Sequence, residues 1–186
     1  MKSFETTVDL EIKRLLQQNN YPCIAALQSY QRKDYWLKCY ENFGGYQERP
    51  DLREDLLNNL AEFEKSKSPY FTFWAVFDDV NNLDEDQFEL NMWRELSALS
   101  PASNHSRNYC LCIGGRVFFV AGLHPASSRL SRRFPWPALV FNTFEQFETV
   151  QANPMVELYS DLWESNQYAG NVRGMNIAPK QILRTI

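Results

Sequence analysis

The sequence has little of what the commonest functional classes require. It carries two histidines and four cysteines, and no two of the cysteines stand in a C-x-x-C pair, so a zinc ribbon is excluded. No apolar run approaches the roughly 20 residues that span a bilayer. The start, MKSFETTVDL, has no basic-then-apolar layout, so a secretory leader is not expected and the cytoplasm is the expected compartment. The formal net charge of −4 offers no general pull toward nucleic acid or an anionic membrane. The signatures G-x-x-x-x-G-K-[ST], G-x-G-x-x-G after a strand, H-E-x-x-H and G-x-S-x-G are all absent. Partners among nucleic acids and membranes are therefore not expected.

Aromatic residues are plentiful instead, at 15% of the 186 residues. That stock can fill a core or line a pocket for a large flat ligand. The length suits one ordinary domain, and no repeat, low-complexity segment or linker divides it, so residues 1–186 read as a single domain. Phe4, Val8, Ile12, Leu15 and Leu16 fall at helical intervals over residues 4–18. Tyr21-Pro22-Cys23 breaks that helix, because proline disfavours helix at the residue before it. Ile24 to Leu27 is ambiguous between helix and strand. Asp34 to Tyr40 reads as a strand closed by the Gly44-Gly45 turn.

A second helix is expected from Asp51, placed as N-cap with Glu54 three residues on. Its apolar face is Leu52, Leu56, Leu57, Leu60 and Phe63. Tyr70 to Phe77 is apolar on both faces and rich in β-formers, which predicts a strand covered on both sides. Asp84 with Gln87 opens a further capped helix carrying Phe88, Met92, Trp93, Leu96 and Leu99. Gly114-Gly115 joins two apolar strands, Tyr109 to Ile113 and Arg116 to Leu123, as a tight hairpin. Pro137 to Asn142 predicts a short strand and Phe144 to Val150 a helix. The fold class expected is α+β: one mixed, mainly antiparallel sheet with helices packed over it.

Cys110 and Cys112 form a C-x-C on one hairpin strand, where residues two apart share a face. Side-by-side packing suits them better than chelation. His105 lies in a polar loop and reads as solvated. His124 differs, because it ends an apolar strand immediately before Pro125, with Arg129, Arg132 and Arg133 following. A histidine so placed can be a general base, a metal or haem ligand, or a hydrogen-bonded structural residue. The arginines read either as a solvated basic turn or as forks matched to carboxylate or phosphate. One histidine ligand, with arginines for two propionates in an aromatic shell, is what a b-type haem would need.

The run GGRVFFVAGLHPASSRLSRRFPWPALVFNTFEQFE resembles the core motif of the YqcI/YcgG family. That pattern reads approximately as an aromatic-rich strand, G-L-H-P, S-S-R, R-R-F, a strand ending in F-N, then Q-F-E. Tyr21-Pro22-Cys23, YFTFWAVF, Phe88 with Glu89 and Trp93, Asn153-Pro154-Met155, and Glu164 to Gly170 resemble further blocks in the same order. The chain has Thr143-Phe144 where the family pattern has Pro-His, and Asn171 where it has arginine. Family members of known activity are haem-dependent N-hydroxylases, one of which oxidises a guanidine nitrogen in the guanitoxin pathway.

The resemblance implies a bound haem b, and O2 used with an external reductant to N-hydroxylate a small guanidino or amino substrate. It implies His124 as the axial iron ligand, the metal-binding residue. Arg129, Arg132 and Arg133 become candidates for the haem propionates or a substrate carboxylate, Ser127 and Ser128 for orienting that loop or donating to a bound group, and Glu164 and Gln167 for substrate contacts. Two other readings stay open, a non-catalytic haem-binding or haem-sensing protein and a haem-free module that grips a small anion.

Overall fold

A computed structural model describes residues 3–18, 21–45, 47–79, 83–99 and 111–146. The expected α+β class is what it shows. Among the described residues five strands form one sheet in the order β1-β2-β5-β4-β3: β1 (Tyr35–Glu41), β2 (Thr72–Asp78), β3 (Leu111–Ile113), β4 (Arg116–Leu123) and β5 (Ala138–Thr143). β1 and β2 run parallel, and the other three neighbouring pairs are antiparallel. Because β2 and β4 both oppose β5, strands β1, β2 and β4 point the same way. Their carboxyl ends share one edge of the sheet.

Helices cover both faces, as the alternation of side chains along a strand requires. On one face Phe73, Ala75 and Phe77 of β2, with Leu139 and Phe141 of β5, pack against α3 (Pro50–Ser66) and α4 (Glu85–Leu99). On the other, Trp74, Val76, Ala138 and Val140 pack against α1 (Phe4–Leu16) and residues of α2 (Ile24–Arg32). Every residue from Thr72 to Phe77 is buried, as the unbroken apolar run predicted.

Local chemistry explains most boundaries. The ambiguous segment after Pro22 is helix α2, entered through Cys23, whose Sγ accepts from the amide of Ala26 at 3.5 Å. Asp84 and Gln87 close a reciprocal capping box at α4, with bonds of 2.8 and 3.2 Å. Gly114 and Gly115 take φ of 58° and 75°, the left-handed pair a two-residue hairpin turn needs. One boundary corrects the sequence reading. Asp51 does not cap α3, which starts at Pro50, where the fixed φ and missing N–H suit a first helical position. Its carboxylate faces backward instead and takes the Arg49 guanidinium in a two-pronged bond, at 3.2 and 3.1 Å.

Residues 144–146 are helical, and Thr143 with Gln146 caps that start, the Thr143 amide donating to Gln146 Oε1 at 2.8 Å. The rest of the helix expected there, residues 147–150, lies outside the described residues. So do the polar loop with His105, Cys110 of the C-x-C, and the tail. Cys112 is exposed on β3. Among the described residues no helix is long and apolar enough to cross a membrane.

Candidate functional site

β4 stops where its sequence dictates, because Pro125 has no N–H for the ladder. Beyond it the chain loops through residues 125–132 and returns beside His124. The His124 amide donates to Arg132 O at 3.1 Å, and the His124 carbonyl accepts from the amides of Ser127 and Phe134, both at 3.3 Å. His124 and Arg133 form an isolated parallel bridge. The histidine backbone is thus held on two sides by its own motif.

The His124 side chain is buried, with 4% of its surface exposed. It points to the α3/α4 face and stacks on Phe88 of α4, ring centroids 4.3 Å apart and planes within 17°. Its Nδ1 is buried with no hydrogen-bond partner among the described residues. Burial holds its pKa below the usual histidine value, partly offset by the nearby carboxylate of Glu85. At neutral pH the imidazole is therefore uncharged, with a lone pair available to a metal, an acid or a ligand.

The arginines separate into different roles. Arg132 Nη1 donates to Gly122 O at 3.2 Å, a clamp across the base of the loop. Its guanidinium also lies in the field of Tyr21 and Cys23, so the Tyr-Pro-Cys block and the Arg-Arg-Phe block, over 100 positions apart in sequence, meet here. Burial pushes the Cys23 thiol up despite Arg132, which keeps it protonated. Arg133 Nε and Nη2 both donate to Ser127 O at 3.1 Å. Arg133 remains exposed and lines an open groove with Arg14, Gln18, Pro125 and Phe134. Ser127 is buried, while Ser128 Oγ lies 3.1 Å from Glu85 Oε1 in the first turn of α4. Arg129 is half-buried in the same loop.

A second polar centre stands at the same sheet edge, and the sequence reading missed it. Arg49 and Glu95 are 2% and 1% exposed and pair at 3.2 Å. Glu95 Oε1 also accepts from the Gly44 amide at 2.6 Å, while its Oε2 is buried without a partner among the described residues. The guanidinium lies over the rings of Tyr40 and Phe77, 5.2 and 5.4 Å from their centroids. Phe43 joins the two centres, stacking on Phe88 at 5.2 Å and packing on Phe77 at 4.8 Å. One signal was present in the sequence. Glu95 interrupts the apolar face made by Phe88, Met92 and Leu99, and a charge at a core position asks for a partner.

Of the residues expected at the site, His124, Ser127, Ser128, Arg129, Arg132 and Arg133 come together in one loop. Glu164 and Gln167 lie outside the described residues. Among the described residues no group of three or more His, Cys, Asp and Glu side chains is arranged to hold a bare metal ion. Comparison with curated proteins gives no match, and comparison with solved structures gives none either. The YqcI/YcgG family model matches residues 12–161, a span that takes in all five strands, the His124 loop and the buried Arg49–Glu95 pair. The chain belongs to the YqcI/YcgG family.

Proposed function

We propose that this protein binds a b-type haem through His124 and, with O2 and an external reductant, N-hydroxylates a small guanidine- or amine-bearing molecule. The observation that carries the reading is His124 itself, a neutral, buried imidazole with an unpartnered ring nitrogen among stacked aromatic rings. A haem would ask the protein for a nitrogen donor of this kind. His124 fits that demand in charge state and setting.

The surrounding residues fit in part. Arg132 holds the loop through Gly122 O and is assigned that positioning task. Arg133 faces an open groove lined by α1 residues, on the other side of the sheet from the His124 ring, which suits it to a small anion and not to a propionate of a haem held by His124. When bound, haem would supply O2 activation and transfer of one oxygen atom to nitrogen, the second leaving as water with two electrons from the reductant. The chain holds its donor neutral by burial and fixes its backbone through the 132–134 segment. Glu164 and Gln167 remain the proposed substrate contacts.

The test is an absorption titration with hemin, wild type beside His124→Ala. A Soret band lost or shifted in the variant is expected; no band for the folded wild type at saturating hemin would overturn the proposal. A His124-dependent band without O2-dependent turnover of guanidino compounds would favour haem binding or sensing without catalysis. What supports that second reading is the loss of two polar groups, Phe144 standing where the family pattern has histidine and Asn171 where it has arginine. A haem-free protein that binds phosphate or a small carboxylate would leave the anion module.

A further inference from the structure

Gly122 and His124 are two residues apart and face the same way from β4, and α4 crosses them with Phe88. A Cβ placed on Gly122 would stand 2.8 Å from Phe88 Cε1, 3.0 Å from Cζ and 3.1 Å from Met92 Sδ. Gly122 does not have the positive φ that would itself call for glycine. What glycine supplies here is space, and the Phe88 ring occupies it.

The same ring lies nearly parallel to the imidazole at 4.3 Å and is backed by Phe43 at 5.2 Å and 23°. Phe43 is held in turn, its amide donating to Asp79 Oδ2 at 3.4 Å and the next amide, of Gly44, to Glu95. Phe88 is therefore held by Gly122 and by Phe43 before it touches His124.

We infer that Phe88 is the positioning residue of His124. Seated by the empty Cβ position of Gly122, it sets the plane of the imidazole and so the direction of its nitrogen lone pairs. The His124 backbone bonds fix where the side chain starts but leave its last torsion broad. Among the described residues no hydrogen bond holds Nδ1, so the ring plane is set by the face contact with Phe88 and not by a hydrogen bond at that nitrogen. The G-L-H spacing in the motif is then a matched pair, one residue giving room for the ring that orients the other. The inference rests on the reading of His124 as the donor. In-plane approach of a metal to a ring nitrogen leaves the stacked face undisturbed.

The test uses the full chain and begins without haem. His124 ring resonances are recorded by NMR in wild type, Phe88→Leu, Gly122→Ala and a control, Val8→Ala, whose side chain is buried in the opposite helix layer. Wild type and Val8→Ala should give one sharp set of ring signals. Phe88→Leu and Gly122→Ala should broaden or double them as other ring orientations become populated, and hemin affinity should fall about 10- to 100-fold in both. Gly122→Ala keeps residue 88 aromatic, so its effect separates displacement of the ring from its loss. Unaltered His124 signals in both variants would overturn the inference. Displaced signals in a protein that never binds hemin would uphold the orienting role of Phe88 and overturn the haem reading instead.

Discussion

Removing either half of the buried Arg49–Glu95 pair should have unequal consequences, and the structure gives the order. Arg49 engages Glu95 Oε1 at 3.2 Å, Asn42 O at 3.3 Å and both oxygens of the exposed Asp51. In Glu95→Gln the guanidinium keeps Asp51 and Asn42 O, and a neutral amide oxygen can still accept from Gly44. That change should cost about 1.5–3 kcal/mol, the scale of a hydrogen bond to a charged group. In Arg49→Met the Glu95 carboxylate stays buried with one backbone donor, near a second carboxylate, Asp51, that repels it. Breaking a buried pair in this way costs roughly 3–5 kcal/mol.

For a domain of this size each kcal/mol shifts Tm by about 2–4 °C, so Arg49→Met should melt roughly 6–20 °C below wild type. Acidification supplies an independent check. Burial, the largest influence, raises the Glu95 pKa above its ordinary 4.5, and Arg49 opposes that rise. Without Arg49 the folded-state pKa climbs further, so the folded protein binds the proton more readily than the unfolded chain. Stability contributed by this group therefore grows as pH falls through the raised value, and is fully gained near pH 4.5. Urea unfolding at pH 7.5 and 5.5, with Tm by circular dichroism, reads both effects. Equal losses in the two variants, or a loss in Arg49→Met that does not lessen at pH 5.5, would refute the reasoning.

Two further outcomes follow from single sites. His124 has the opposite sign of linkage, because its lowered pKa means that the unfolded chain binds more protons below about 6.5. Stability should therefore fall as pH drops from 6.5 toward the folded value, and His124→Gln should flatten that segment of the urea-derived profile; matching slopes would refute it. Thr143→Ala removes the cap at residue 144, where Thr143 Oγ1 accepts from the Gln146 amide at 3.4 Å. The expected cost is about 0.5–2 kcal/mol, read as a lower midpoint in urea, and an unchanged midpoint would argue against the cap.

The sequence made legible whatever depends on one segment at a time. The spacing of Phe4, Val8, Ile12 and Leu15 defined α1, and the Gly114-Gly115 pair defined the hairpin. The doubly apolar run gave β2 together with its burial. Where a local signal had a long-range competitor, the local reading failed. Asp51 carried every mark of a helix cap, yet the neighbouring guanidinium took its carboxylate. The parallel pairing of β1 with β2 and the central place of β5 depend on how the α3/α4 and α1/α2 layers cover the sheet, which no periodicity encodes. His124 stood out because a strand end, a proline and a basic run coincide there. Its partners did not, since Phe88 and Glu85 reach it from α4, and Glu85 meets Ser128 across 43 positions.

The basic run after His124 shows how far a motif can be read as chemistry. Three arginines in an acidic chain suggest an anion grip, and a solvated turn was the plain alternative. The structure follows neither wholly. Arg132 is turned inward onto a strand carbonyl beside Tyr21 and Cys23, which costs desolvation of a guanidinium and gains closure of the loop on β4. Arg133 bonds Ser127 O yet stays exposed, so it can stiffen the loop and still meet a ligand. A fork inside the fold determines where His124 sits; a fork on the surface determines what can approach. The separation follows from β4 ending at a proline. The chain then loops back beside His124, and in the returning segment Arg132 faces the packed side while Arg133 faces the open groove.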